Sequence, residues 1–186
     1  MKYEPITSDT YFHIYNCGNN KENIFIDEEN YSYFLSLIKK YLLDAMDLLA
    51  YCLLKNHFHL IIKTKPDVSD KNLSRAFSNF FNAYAKAINK RFQRSGSLFK
   101  DRFSRIKIED EKYLQSLIIY VHTNPTHHGF TTDFRNYKHS SYQTIMSNKP
   151  TQLERDFVLS LFEDKENFEF VHFNKNTSLL EKYVLE

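Results

Sequence analysis

Apolar residues recur at two different spacings along the chain, and each change of spacing marks a new element. Alternating or continuous apolar residues predict strands at 11–17, 48–54, 57–64 and 103–108. The second and third of these are separated only by Lys55 and Asn56, the two-residue gap of a hairpin. Apolar residues three and four positions apart predict helices at 27–44, 69–92 and 111–124, and shorter helices at 140–146 and 154–162.

The order of these elements favours one fold class. Strand, helix, strand, strand, helix, strand, helix is typical of an α+β fold, in which an antiparallel sheet packs against helices. The helix at 111–124 is expected to end before Pro125, because proline has no backbone N–H and its ring clashes with the preceding turn.

Composition is that of an ordinary folded chain. With 186 residues, of which 42% are hydrophobic and 26% charged, it forms one domain, or one domain with a terminal extension. The first ten residues lack the apolar core of a signal peptide, and the longest apolar run, at 48–54, is too short to cross a bilayer. Cys17 and Cys52 could pair, but two buried reduced thiols fit better, and a cytoplasmic protein with no membrane association is expected.

Charge is unevenly distributed. The net charge is only +2, yet residues 86–107 contain eight basic residues and the single acid Asp101, a local net charge of +7. Such asymmetry predicts a phosphate-binding surface, with a solvated charged surface as the alternative. The candidate DNA contacts in and near this segment are Arg75, Lys86, Lys90, Arg91, Arg94, Lys100, Arg102 and Arg105.

Two histidines stand on the third predicted strand. Side chains alternate between the faces of a strand, so His57 and His59 project to the same side while Phe58 and Leu60 enter the core. Their separation of roughly 6.5–7 Å along the backbone lets two imidazoles converge on one metal ion. Paired strand histidines are also often structural, so the motif alone leaves both interpretations open.

A tyrosine and an asparagine stand one helical turn apart on the helix that follows the basic segment. Tyr120 and Asn124 share a helix face. A helical tyrosine is ordinarily a core residue, and Asn124, next to Pro125, can equally be a helix cap. The combination of Tyr120 and Asn124 with the histidine pair is what indicates chemistry.

Four segments stand out when they are taken together: FHIYNCGNN at 12–20, YCLLKNHFHL at 51–60, RSGSLFKDRF at 94–103 and YVHTNP at 120–125. They resemble the REP-associated tyrosine transposases, which are single-tyrosine HUH relatives of insertion-sequence transposases. The similarity covers about residues 8–147, with the motifs in the family's order. One departure is Lys55, where the family commonly has proline or a similar residue, and it should alter the hairpin turn and not the ligands.

The resemblance implies a fold and a set of roles. It implies a ferredoxin-like antiparallel sheet with the histidine strand at its centre and a transposase domain over 1–147. Residues 148–186 lie outside the similarity and are expected to form a C-terminal helical extension. His57, His59 and Asn124 match the family's ligands for Mg²⁺ or Mn²⁺, and Tyr120 matches its nucleophile. The expected substrate is single-stranded DNA bearing imperfect hairpins from repetitive palindromic elements.

Such a site implies a specific reaction. The Tyr120 oxygen displaces a 3′-OH and leaves a 5′-phosphotyrosine that a later 3′-OH can rejoin. Two alternatives remain open at this point. One is a hairpin-binding module without catalysis, and the other is a metal hydrolase that uses water and forms no covalent link.

Overall fold

A computed structural model describes residues 4–174, which contain a four-stranded sheet and six α-helices. The strands are β1 (Tyr11–Cys17), β2 (Met46–Leu54), β3 (His57–Thr64) and β4 (Ser104–Ile108). The helices are α1 (Glu28–Tyr41), α2 (Asp70–Arg91), α3 (Glu111–His127), α4 (Tyr142–Met146), α5 (Arg155–Ser160) and α6 (Lys165–Asn174). Single 3₁₀ turns lie at Asn19–Lys21 and Phe134–Asn136.

The strand order is β2-β3-β1-β4, and every neighbouring pair is antiparallel. β3 lies between β1 and β2, so the β1-α1-β2 unit is a split βαβ and the topology is ferredoxin-like. The α+β fold and the central position of the histidine strand are thereby confirmed. Lys55 and Asn56 form a tight turn between β2 and β3. The residues on either side of it, Leu54 and His57, pair with each other, as the hairpin spacing predicts.

One face of the sheet is apolar and packs against α1 and α2. Phe58 and Leu60 of β3 are fully buried there, as their alternation with the histidines predicts. The Phe34 ring of α1 lies 5.1 Å from the Phe58 ring and 4.9 Å from the Phe80 ring of α2, measured between centroids. Each fully buried phenylalanine of this kind contributes about 1.5–3 kcal/mol through the hydrophobic effect.

Helix α3 does not end where its sequence predicts. It runs through Pro125 to His127, with His128 as its C-cap, so the expectation that Pro125 ends the helix is wrong. Pro125 lies in the last turn, where a missing N–H removes one helical hydrogen bond and leaves the earlier turns intact. The chain leaves the helix at Gly129, whose φ of 68° is the left-handed geometry that favours glycine.

The residues that follow α4 pack onto the same core. Leu153 forms a parallel bridge with Leu48 of the edge strand β2. Helix α6 lies within the predicted helical extension, although its own bounds were not predicted. Nε2 of its His172 lies 2.9 Å from Nδ1 of His122 on α3. Residues 175–186 of the predicted extension lie outside the described residues. Within 4–174, each helix is too short or too polar to cross a membrane.

Candidate active site

The second face of the sheet carries histidines and is covered by α3. On β3, His57 and His59 point to this face, and the pairing register places Tyr15 of β1 opposite His59. The His57 and His59 rings lie 5.3 Å apart, nearly perpendicular at 86°. The Tyr120 ring of α3 lies 5.6 Å from the ring of His59. The structure therefore brings the candidate nucleophile against the histidine pair that the sequence singles out.

Asn124 reaches the same cluster one helical turn further along α3. Its Oδ1 lies 3.2 Å from Nε2 of His57, and both residues are buried. The cap of α3 is His128, so the interpretation of Asn124 as a helix cap is wrong. The asparagine side chain instead contacts His57 on the histidine-bearing face of the sheet.

The two nitrogens of His57 make contacts that conflict for a neutral ring. Nδ1 lies 2.9 Å from Oδ1 of Asn56, and Nε2 lies 3.2 Å from Oδ1 of Asn124. Amide oxygens only accept hydrogen bonds, whereas a neutral imidazole carries one N–H. One of the two contacts therefore joins two acceptor atoms, which repel each other unless a cation or a proton lies close to both.

His59 is held from β1 by a residue that the sequence interpretation did not include. Nε2 of His13 lies 2.9 Å from Nδ1 of His59, with both rings buried. The other nitrogens of this pair, Nδ1 of His13 and Nε2 of His59, have no hydrogen-bond partner, and neither does Nδ2 of Asn124. Buried polar atoms without partners are rare in folded proteins and indicate strain or an absent ligand.

Burial keeps this histidine pair uncharged. Desolvation lowers the pKa of His13 to about 3. It also lowers the pKa of His59 well below 6.5, with a smaller contribution from the neighbouring imidazoles, His13 first. At neutral pH both rings are therefore neutral, so that their lone pairs are available to a cation.

These atoms fit a divalent cation bound by His57, His59 and Asn124. Ligand bonds of about 2.1 Å at right angles place neighbouring donor atoms about 3.0 Å apart, close to the separation of His57 Nε2 and Asn124 Oδ1. Nε2 of His59 supplies a third ligand atom, and it has no hydrogen-bond partner. Among residues 4–174, no three His, Cys, Asp or Glu side chains are grouped to hold a metal ion, so the set depends on the amide oxygen. We name His13, Asn56, His57, His59 and Asn124 the site cluster.

Tyr120 itself is almost completely covered, with 4% of its surface exposed. Its neighbours are His59, His13 and His127, whose ring lies 6.4 Å from the tyrosine ring. Desolvation lowers the pKa of His127, as does the neighbouring His128 to a smaller extent, so that this imidazole is neutral near pH 7. The nucleophile candidate thus lies among imidazoles that are uncharged near pH 7.

The candidate DNA contacts fall into two groups, those on α2 and those between α2 and the end of β4. Arg75, Lys86 and Lys90 are exposed on α2, the helix that covers the face opposite the site cluster. Arg91 is paired with Asp27 and Glu29, at 2.7 Å in each case. These residues form a surface separated from the histidines by the sheet.

The cations that follow α2 are held by acidic and carbonyl groups or lie exposed on the loop before β4. Arg94 pairs with Glu22, and Arg105 donates from Nε to the carbonyl of Glu4. Lys100 is exposed, and its backbone N–H donates to the Cys17 carbonyl over 3.0 Å, at the end of β1 that pairs with His57.

Arg102 is also exposed, two residues further along this loop. The side chain of Asn16 ties the loop to β1 by donating to the carbonyl of Asp101 over 3.1 Å. Of the eight candidate cations, Lys100 and Arg102 are thus the pair that the chain anchors at the site end of the sheet.

Three histidines near the site were not assigned a role from the sequence. His13 stands two residues before Tyr15 on β1, so its face is predictable, but the register that brings it to His59 is not. His127 and His128 lie beyond Pro125, where the helix was expected to have ended. The His128 ring lies 4.8 Å from the ring of His57, so this end of α3 adds to the histidine face.

Comparisons with known proteins place this geometry in a family. The model of the IS200-like transposases matches residues 6–124, which include His57, His59, Tyr120 and Asn124. A search of curated proteins found no match. The fold is similar to the structure of a REP-associated tyrosine transposase bound to a REP hairpin, with a TM-score of 0.66, 18% identity, and coverage of 82% of this chain and 88% of that chain.

A second structure is similar to a lesser extent. It is a crystal structure of a protein assigned as a transposase from Deinococcus radiodurans R1, with a TM-score of 0.42, 13% identity, and coverage of 63% of this chain and 92% of that one. The family match extends over well over half of the chain and agrees with the motifs and the fold. The chain belongs to the IS200-like transposase family.

Proposed function

We propose that the protein is a divalent-cation-dependent endonuclease and strand transferase that cuts single-stranded DNA with Tyr120 as its nucleophile. One observation carries the proposal. Tyr120 lies against His59, whose Nε2 is buried without a partner, while Asn124 one turn away faces Nε2 of His57 at 3.2 Å. A structural tyrosine would have no need of unsatisfied ligand atoms beside it.

The reaction proposed is a transesterification. The Tyr120 oxygen forms a bond to the scissile phosphorus, and the bond from phosphorus to the 3′ oxygen breaks. The phenolic proton leaves to water or to a neutral imidazole, for which His127 is a candidate because its ring lies 6.4 Å from that of Tyr120. The departing 3′ oxygen takes up a proton, and the 5′ phosphate remains on the tyrosine, ready for attack by another 3′-OH.

The site cluster prepares the phosphate for this attack. A Mg²⁺ or Mn²⁺ ion bound at His57, His59 and Asn124 would neutralise charge on the scissile phosphate and orient it for in-line displacement. Imidazole and amide donors suit Mn²⁺ at least as well as Mg²⁺. The neutral state of His59 leaves its lone pair available near pH 7.

The DNA partner proposed is a single strand that carries an imperfect hairpin. Support comes from the similar fold of a transposase described as bound to a REP hairpin. It also comes from Lys100 and Arg102, two exposed cations on the loop that is joined to β1 beside His57. Cations at this position can hold backbone phosphates without reading the sequence.

A second function is favoured by one observation. Tyr120 is only 4% exposed, as expected of a packing residue in a hairpin-binding module that does not cut. In the catalytic proposal, the tyrosine ring turns outward, or the end of α3 opens, when DNA binds. The two functions differ in whether a covalent adduct forms.

Labelling the two DNA ends separately tests the proposal. The substrate is a pool of single-stranded oligonucleotides with an imperfect hairpin and randomised flanks, incubated with Mn²⁺ and separated on a denaturing gel. We expect the 3′ label to migrate with the protein and the 5′ label to be released, because the 5′ phosphate stays on Tyr120. Tyr120→Phe should lose the adduct by about 10³-fold or more, while DNA binding persists.

Tyr113→Phe is the matched control, since Tyr113 lies two turns earlier on the same side of α3. It should form the adduct normally. An adduct that survives Tyr120→Phe and disappears in Tyr113→Phe would reassign the nucleophile. Cleavage without any adduct would identify a hydrolase that uses water, and binding without cleavage would identify the non-catalytic module.

A further inference from the structure

His13 has no role in the reaction proposed above, yet it is fully buried against one of the candidate ligands. It lies on β1, and its Nε2 is 2.9 Å from Nδ1 of His59. The two rings are 5.1 Å apart between centroids and inclined by 25°. The contact is a hydrogen bond, so one of these nitrogens carries the proton and the other accepts it.

We propose that His13 is a positioning residue that accepts this hydrogen bond and so leaves Nε2 of His59 available to a divalent cation. If His59 donates from Nδ1, its second nitrogen is a lone pair. If His13 donates instead, the proton of His59 must lie on Nε2, and this atom cannot bind a cation. The inference rests on the metal site of the proposed function.

Folding alone does not select between the two arrangements. When His59 donates, the N–H at Nδ1 of His13 has no acceptor. When His13 donates, the N–H at Nε2 of His59 has none, since both atoms are buried without a partner. Each arrangement therefore leaves one buried N–H unsatisfied. Only the first offers a ligand to a cation, so a bound cation selects the arrangement in which His13 accepts.

The same logic operates at the other candidate histidine. Nδ1 of His57 lies 2.9 Å from Oδ1 of Asn56, an atom that can only accept. Both rings thus have an acceptor beyond Nδ1, the usual arrangement for metal-binding histidines. Neither Asn56 nor His13 is an anion, so these supports add no negative charge beside the phosphate of the DNA.

Mn²⁺ binding in the absence of DNA tests the proposal without reference to activity. Isothermal titration of Mn²⁺ should give a dissociation constant about 10–100-fold larger for His13→Phe than for the wild type, the usual effect of removing an outer partner. His13→Gln, which keeps an acceptor oxygen, should recover most of the affinity. Tyr15→Phe is the control, because Tyr15 stacks on His59 at 5.9 Å without supplying the acceptor, and its dissociation constant should not change.

The outcomes separate this inference from the proposed function. If the wild type binds Mn²⁺ and His13→Phe binds it equally well, His13 is a packing residue and only the inference fails. If the wild type binds no Mn²⁺, the metal site and the inference fail together. Equal losses in His13→Phe and His13→Gln, with a lowered melting temperature in both, would also overturn the role of His13.

A second measurement does not depend on the variants folding. Nitrogen-15 NMR of the wild type with saturating Mg²⁺ reports which nitrogen of His59 carries the proton. We expect the proton on Nδ1, shared with His13. A proton on Nε2 under these conditions would overturn the proposal.

Discussion

Two clusters of buried histidines lie on opposite sides of α3, and they differ in how completely their hydrogen bonds are satisfied. The site cluster meets the Tyr120 side of the helix. The second, which we name the distal cluster, consists of His122, His172 and Ser141, all buried. Because a helix turns by about 100° per residue, His122 points away from Tyr120.

Every ring nitrogen of the distal cluster has a partner, and the protons have one consistent direction. Nδ1 of His172 donates to the Phe168 carbonyl over 2.7 Å, so its Nε2 accepts from Nδ1 of His122 over 2.9 Å. Nε2 of His122 then accepts from the Ser141 hydroxyl at 2.7 Å. Burial alone therefore does not distinguish a functional histidine, since both clusters are buried.

What differs is the presence of atoms without partners. Nδ1 of His13, Nε2 of His59 and Nδ2 of Asn124 have none, whereas the distal cluster contributes no such atom within residues 4–174. The distal cluster joins α6 to α3 and α4, and its hydrogen bonds are complete without a ligand. The site cluster is incomplete without one, which is the physical reason to place chemistry there.

The largest expected effect comes from His59→Leu. Removing a direct ligand should weaken Mn²⁺ binding by more than about 100-fold, which exceeds the usual effect of removing a residue that only hydrogen-bonds to a ligand. The free energy of unfolding should fall by about 1–2 kcal/mol, because buried Nε2 of His13 loses its partner while the unsatisfied Nε2 of His59 is removed. Titration calorimetry and thermal unfolding measure the two quantities. A large stability loss with intact Mn²⁺ binding would make this cluster structural too.

His122→Leu makes the same change in the distal cluster and should have the opposite result. It leaves buried Nε2 of His172 without its donor and removes the acceptor of the Ser141 hydroxyl, which keeps only the Tyr51 backbone as partner, and we expect a loss of about 3 kcal/mol in unfolding free energy. For a chain of this size the melting temperature should fall by roughly 6–12 °C. Mn²⁺ affinity should be unchanged, and a weakened affinity would mean that α6 supports the site.

Asn124→Ala tests the third donor. The Mn²⁺ concentration for half-maximal cleavage should rise about 10-fold, since His57 and His59 remain. The melting temperature without metal should change little, because the helix is capped beyond this residue at His128. A melting temperature lowered by the equivalent of about 1 kcal/mol, with the metal requirement unchanged, would restore a purely structural role.

The smallest effect is expected when exposed cations are removed, which should change only the salt dependence of DNA binding. Lys100→Ala with Arg102→Ala should flatten the slope of log K against log salt by about 1.4, or 0.7 for each single-strand phosphate that the protein no longer neutralises. Lys86→Ala with Lys90→Ala is the matched control on α2 and should leave the slope unchanged. Equal effects from both pairs would mean that DNA also binds the α2 side.

Features that depend on local spacing are predicted from the sequence better than features that depend on packing between distant segments. Spacing within one strand predicts that His57 and His59 share a face, and spacing within one helix predicts the same for Tyr120 and Asn124. Their roles come from the resemblance, and the strands follow from local alternation. His13 joins the site only through the register of β1 against β3, which is set by packing of the whole sheet. The end of α3 was mispredicted because Pro125 is tolerated in a final turn, and this hid His127 and His128. Helix α6 depends on contacts such as His122 with His172, which no local pattern reveals.

The central claim is that Nε2 of His57, Nε2 of His59 and Oδ1 of Asn124 hold a divalent cation on which attack by Tyr120 depends. The most direct test is the yield of 3′-labelled covalent adduct formed by the wild type in Mn²⁺ and in excess EDTA, on the same oligonucleotide pool. The account predicts an adduct in Mn²⁺, loss of nearly all of it in EDTA, and recovery when Mn²⁺ is restored. An equal yield in EDTA would contradict it, because Tyr120 would then cut DNA without using the atoms that set this cluster apart.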